Sequence, residues 1–139
     1  MKYLLDTCVI AELIATRPSP KVTEWLDSHD EQECYLSVVT LGEIQKEISK
    51  LTDSRKKIQV QAWLADEVMV RFNGRILDVT TEIALHWGGI LDSAEKKGRA
   101  LSVLDALVAA TAITKGFTLI TRNTPEMGSS GAHLFDPWG

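Results

Sequence analysis

The chain has 139 residues, 45% of them apolar and 24% charged, the balance of a single globular domain spanning residues 1–139. No apolar run approaches the ~20 residues that cross a bilayer, and the opening MKYLLDTCVIAEL carries acids inside its apolar stretch, unlike a secretory leader. Two cysteines are too few for a disulfide scaffold, and a net charge of −4 excludes a uniformly basic nucleic-acid surface while leaving room for cations placed locally around an acidic site. A cytoplasmic location is the default expectation, with no membrane contact.

In chain order, KYLL predicts a short buried strand, followed by a helix over about Thr7 to Ala15. RPSP is a break, and Pro20 is placed to start a helix through Trp25 and Leu26. CYLSVV, β-branched and apolar, predicts a second strand. From Thr40 to about Leu51 the spacing is helical, with Leu41, Ile44 and Ile48 on one face. TDSRKK is a polar break before a second helical stretch, Ile58 to Phe72. Asn73-Gly74 signals a turn before a third strand, RILDV.

Thr80 to Lys97 has helical periodicity despite Gly88-Gly89, which cost about 1 kcal/mol each against Ala and imply close packing of another backbone or a kink. Ser102 opens a helix carrying LDALVAATAITKG, and Gly116 closes it. FTLIT is a fourth strand and HLF a short last one. Strands alternating with helices imply a parallel sheet covered on both faces, an α/β fold.

Acids fall at equivalent places on this plan. Asp6 ends the first strand; Glu43 lies in the first turn of the helix expected at Thr40; Asp105 lies in the first turn after Ser102; Glu126 follows the fourth strand in TRNTPEM. Singly, each reads as helix capping: Thr40-x-x-Glu43 and Ser102-x-x-Asp105 fit the capping box, Asn123-x-x-Glu126 with Pro125 is a helix start, and Asp6 fits an N-cap. Jointly they point elsewhere. Ligands of open parallel sheets bind beyond the carboxyl ends of the strands, and carboxylates gathered there repel unless a cation neutralises them. Hard oxygen donors without clustered His or Cys select Mg²⁺ or Mn²⁺, ions that orient water and stabilise charge on a phosphodiester.

LLDTCVIAEL, LSVVTLGEI, LDALVAATAITKG, LITRNTPEM and the closing LFDPW stand in an order and spacing that resemble the PIN-domain ribonucleases, in particular VapC-type toxins of type II toxin–antitoxin systems and their FitB-like branch. The resemblance covers nearly the whole chain. It implies a PIN-like three-layer α/β/α sandwich around a central parallel sheet of 4–5 short strands. It further implies a Mg²⁺- or Mn²⁺-dependent endoribonuclease that cleaves RNA, neutralised by a small cognate antitoxin protein, forming a homodimer, with operator DNA bound through the antitoxin. Asp6, Glu43 and Asp105 match the family's acidic core, Thr7 the hydroxyl residue beside the first acid, and Thr121 the one before the fourth-acid region.

Two departures stand out. Cys8 occupies a position where the family has Asn or Ser, and the fourth acidic position falls either to Asn123, through its amide oxygen, or to Glu126. Cys8 reads as a small thiol and not a nucleophile, since Ile14 stands where a phosphatase-type Cys-x5-Arg needs its arginine. The remaining candidates take ordinary roles: His29, His86 and His133 lack metal-ligand spacing, Glu12 reads as exposed charge, and the basic runs Lys46 to Lys57 and Lys96 to Arg99 read as solvated helix ends and turns. Arg122 suits either a phosphate or a neighbouring carboxylate. Two other functions compete with the ribonuclease: a receiver-like Mg²⁺-binding signalling domain with Asp78 as phosphoryl acceptor, and a non-catalytic PIN-fold module that binds a partner.

Overall fold

The computed structural model describes residues 1–99 and 101–139. Five short strands form one all-parallel sheet in the order β3-β2-β1-β4-β5: β1 Tyr3–Leu5, β2 Cys34–Ser37, β3 Ile76–Leu77, β4 Thr118–Ile120 and β5 Leu134–Phe135. The strand order reverses between β1 and β4, so the crevice of this doubly wound sheet opens where those two strands end.

The period-2 alternation of strand side chains divides the core into two layers. Leu5 and Ile120 face one side, with Val9, Ile10, Leu36, Ile44, Ile48 and Phe72; Leu4 and Leu119 face the other, with Val108, Ala109, Ala112 and Met127. The alanines let α7 (Val103–Lys115) lie close on the sheet. The arrangement is the expected three-layer α/β/α sandwich.

Several boundaries differ from the expectation. The first helix, α1 (Thr7–Glu12), stops before Ala15, and α2 (Pro20–Asp27) begins at its proline as anticipated. Glu12 is not free charge: its Oε1 accepts the Ser19 amide at 2.7 Å and ties down the loop between α1 and α2. The second strand ends at Ser37, whose hydroxyl accepts from the Val39 amide, so Val38 and Val39 already belong to α3 (Val38–Lys50). A capping serine inside an apolar run overrides the β propensity of the valines.

Further on, Asp53 caps α4 (Ser54–Trp63), accepting from Arg55 N at 3.0 Å and Lys56 N at 3.2 Å, so the RKK segment is helix and not a break. A π-helical turn, Leu64–Val68, joins α4 to α5 (Met69–Arg71). The glycine pair lies within an unbroken α6 (Thr81–Lys96), and a Cβ added at Gly88 or Gly89 meets nothing within 4 Å, so close packing among the described residues does not explain the pair. Gly116 closes α7 at φ 72°, the left-handed conformation that a side chain disfavours.

Candidate active site

Asp6 follows β1 directly and is 5% exposed. Its carboxylate does two jobs at once. Oδ1 accepts the Thr7 amide at 2.8 Å, capping α1, and Oδ2 accepts the Thr121 hydroxyl at 2.7 Å across the crevice between β1 and β4. Thr121 Oγ1 also accepts the Asn123 amide at 3.0 Å, which bends the chain leaving β4 back toward the crevice.

On the other side, β2 feeds α3. Because α3 starts at Val38, Thr40 is no cap but a fully buried residue of the first turn, and Glu43 lies beyond it. Thr7 Oγ1 donates to Glu43 Oε1 at 2.7 Å and stands 3.1 Å from Thr40 Oγ1. This hydroxyl pair clasps α1 to α3 and points Glu43 at the crevice. The role of Thr40 was hidden in the sequence because its spacing to Glu43 imitates a capping box.

Ser102 does cap α7, its hydroxyl accepting the Asp105 amide at 3.1 Å, and Asp105 sits half-buried in the first turn. The outcome is one cleft of about 340 Å³ lined by Asp6, Thr7, Glu43, Lys46, Asp105 and Asn123, together with Cys8, Glu47 and Leu104. Of the two residues offered for the fourth acidic position, Glu126 is exposed in the first turn of α8 (Thr124–Met127) and does not line the cleft, whereas Asn123 does. Asp78 follows β3 at the edge of the sheet, away from the cleft. Lys46, read from the sequence as a solvated cation, lines the cleft; its spacing one helical turn beyond Glu43 was the available signal.

Burial raises the Asp6 pKa; the Thr121 hydroxyl and Thr7 amide oppose the rise, and the charges of Asp105 and Glu43 add to it. Burial likewise raises the Cys8 thiol, whose Sγ lies 4.0 Å from Asp6 Oδ2 and 3.9 Å from Thr121 Oγ1, a shift that disfavours the thiolate a nucleophile needs. The buried Cys34 thiol is pushed up to about 11 by the same cause.

Among the described residues, no ion pair reaches Asp6, Glu43 or Asp105. Acids gathered at one cleft and neutralised by no ion pair, one of them buried, present an all-oxygen donor set suited to a hard cation. Among the described residues no three His, Cys, Asp or Glu side chains close on one point tightly enough for direct coordination by all three. A cation there would take one or two of these carboxylates directly and meet the others through its waters.

The family described as PIN domain matches residues 3–125. Toxin FitB of Neisseria gonorrhoeae is 32% identical over 135 residues, covering 97% of both chains. VapC ribonuclease Y4jK of Sinorhizobium fredii is 28% identical over 97% of this chain and 96% of its own. Among solved structures, that of FitAcB from Neisseria gonorrhoeae superposes with a TM-score of 0.93 at 32% identity, covering 98% of each chain.

Proposed function

The chain belongs to the PIN-domain family, and from that premise we propose that it is a metal-dependent endoribonuclease, the toxin of a toxin–antitoxin pair. The observation that carries the reading is the meeting of Asp6, Glu43 and Asp105 in one cleft at the carboxyl ends of β1 and β2 and the start of α7, with no cation paired to them among the described residues. The relatives bear the names of a toxin and of a ribonuclease, which supports both halves of the proposal.

Asp6, Glu43 and Asp105 would hold the Mg²⁺ or Mn²⁺, with the Asn123 amide oxygen as a neutral fourth donor. When bound, such an ion supplies Lewis-acid stabilisation of charge on the phosphodiester and favours ionisation of an attacking water. The protein's own part is orientation. Thr121 and the Thr7 amide fix both oxygens of Asp6, and the Thr7 hydroxyl fixes Glu43, so the acids hold their places against mutual repulsion. Thr7 and Thr121 are therefore supporting residues. Glu126, outside the cleft, acts at most through water.

The same reading supplies the partners. A small cognate antitoxin covers the toxin and carries it to operator DNA, and the chain pairs as a homodimer. Leu85 on α6 is 73% exposed and one turn from Gly88-Gly89, an apolar position open to a second copy. Among the described residues no helix is long and apolar enough to cross a membrane.

The test is cleavage of RNA by the purified chain with Mn²⁺ or Mg²⁺ and with chelator. Cleavage is expected only with metal, and Asp6→Asn, Glu43→Gln and Asp105→Asn should each lower it about 10²-fold or more while keeping the native circular dichroism. Metal-independent cleavage, or folded variants of undiminished activity, would overturn the proposal.

A further inference from the structure

We propose that Lys46 and Arg122 grip the backbone phosphates of a single-stranded RNA on opposite sides of Asp6, with Trp138 holding Arg122 in place; the proposal rests on the ribonuclease reading above. The sheet order sets the geometry. The carboxyl ends of β2, β1 and β4 stand side by side, so the chain leaving β2 and the chain leaving β4 pass on opposite sides of Asp6. Lys46 reaches the cleft from α3, on the β2 side. Arg122 leaves β4 on the other side, directly after Thr121, whose hydroxyl donates to Asp6 Oδ2 at 2.7 Å.

Neither cation is spent on a carboxylate. Among the described residues, no ion pair involves Lys46 or Arg122, and the nearby Glu47 pairs instead with Lys50 at 3.6 Å. The second reading of Arg122 offered by the sequence, a pair with a neighbouring acid, is therefore not what the structure contains. Arg122 is exposed yet not loose: its guanidinium carbon lies 4.3 Å from the centroid of the Trp138 ring. Trp138 is packed in turn against the core. Contact with the ring face restrains the guanidinium while its exposure leaves N–H groups accessible to a phosphate.

The need for such residues follows from the charge of the site. Asp6, Glu43, Glu47 and Asp105 surround the cleft, and Lys46 is the one cation lining it among the described residues. A polyanion brought to that rim meets repulsion unless positive charge stands beside the acids. Each phosphate gripped by a cation releases a counterion, which gives the clamp a signature independent of catalysis: binding should weaken with salt at a slope of about 0.7 per contact on a logarithmic plot.

The experiment measures binding of a fluorescent single-stranded RNA oligonucleotide to the full chain by anisotropy over a series of KCl concentrations, without divalent ion, and cleavage kinetics separately with Mn²⁺. Lys46→Gln and Arg122→Gln should each reduce the salt slope by about 0.7 and raise KM about tenfold, with a smaller effect on kcat; Lys46→Arg should restore both. Trp138→Leu should raise KM in the native background and add nothing to Arg122→Gln, whereas Trp138→Phe, which keeps an aromatic face, should behave as the native chain. Unchanged slopes and KM in both charge variants would overturn the clamp while leaving a cleaving native enzyme intact. Reduced slopes in a chain that cleaves no RNA with metal would overturn the ribonuclease reading and leave the clamp standing.

Discussion

Thr121 Oγ1 donates to Asp6 Oδ2 at 2.7 Å across the point where the strand order of the sheet reverses, joining residues 115 positions apart in sequence. The bond stabilises the ionised form of a carboxylate that burial pushes toward protonation. Thr121→Val removes that donor and also the acceptor of the Asn123 amide. The Asp6 pKa should rise further, moving the acid limb of the pH–rate profile to higher pH. Stability should fall by about 1 kcal/mol for the orphaned amide. Thr121→Ser should restore the profile, as read by kcat/KM against pH and by urea unfolding.

The raised pKa of Asp6 also ties metal to stability. A carboxyl raised in the folded state favours the protonated fold. Its contribution is present in full below the ordinary carboxyl value of 3.8 and is lost as pH rises through the folded value. Near pH 7 the metal-free protein therefore carries an unfavourable charge. Asp6→Asn should raise the melting temperature of the chelated protein, the amide still capping α1. Mn²⁺ should stabilise the native chain strongly and the variant little, as followed by differential scanning calorimetry with and without chelator.

The fourth position is decided by a pair of variants. Asn123 lines the cleft and Glu126 is exposed outside it. Asn123→Ala should lower cleavage about tenfold or more, on the scale of one lost polar contact in the transition state. Glu126→Gln should change it less than twofold, measured with the same RNA under Mn²⁺. The reverse order would assign the position to Glu126.

Arg75 is a structural cation. It is 7% exposed, its Nη1 donating to the carbonyls of Glu31 and Cys34 and its Nη2 to that of Arg71, with its guanidinium carbon 4.8 Å from the centroid of the Phe72 ring. It fastens the segment before β3 to the segment before β2. Arg75→Met should cost about 2–4 kcal/mol in urea unfolding because three carbonyls lose their donor. The cleft acids lie on other elements and should keep their activity below the unfolding transition.

Gly88 and Gly89 give a test of the homodimer. Alanine at either fits the open space around α6 and should stabilise the isolated fold by about 1 kcal/mol through helix propensity. If α6 packs on a second copy there, the added methyls should weaken the dimer in analytical ultracentrifugation while the monomer gains stability. A gain with unchanged association would place the dimer contact elsewhere.

The local parts of this protein are written in the sequence because each depends on neighbours within a turn or a strand. Strands alternating with helices made a sheet covered on both faces legible, Ser102 and Gly116 bounded α7, and acids at strand ends marked a site before any geometry was known. The residues that tie one element to another were not legible. Thr40 imitates a cap and is instead a buried clasp; Lys46 sits in a basic run and turns into the cleft; Asn123 and Glu126 are separated only by the way α8 leaves β4. Those outcomes depend on which strands pair and in what register, contacts made between residues far apart in the chain, and a hydroxyl has the same local propensity whether it meets a carboxylate across the sheet or meets water.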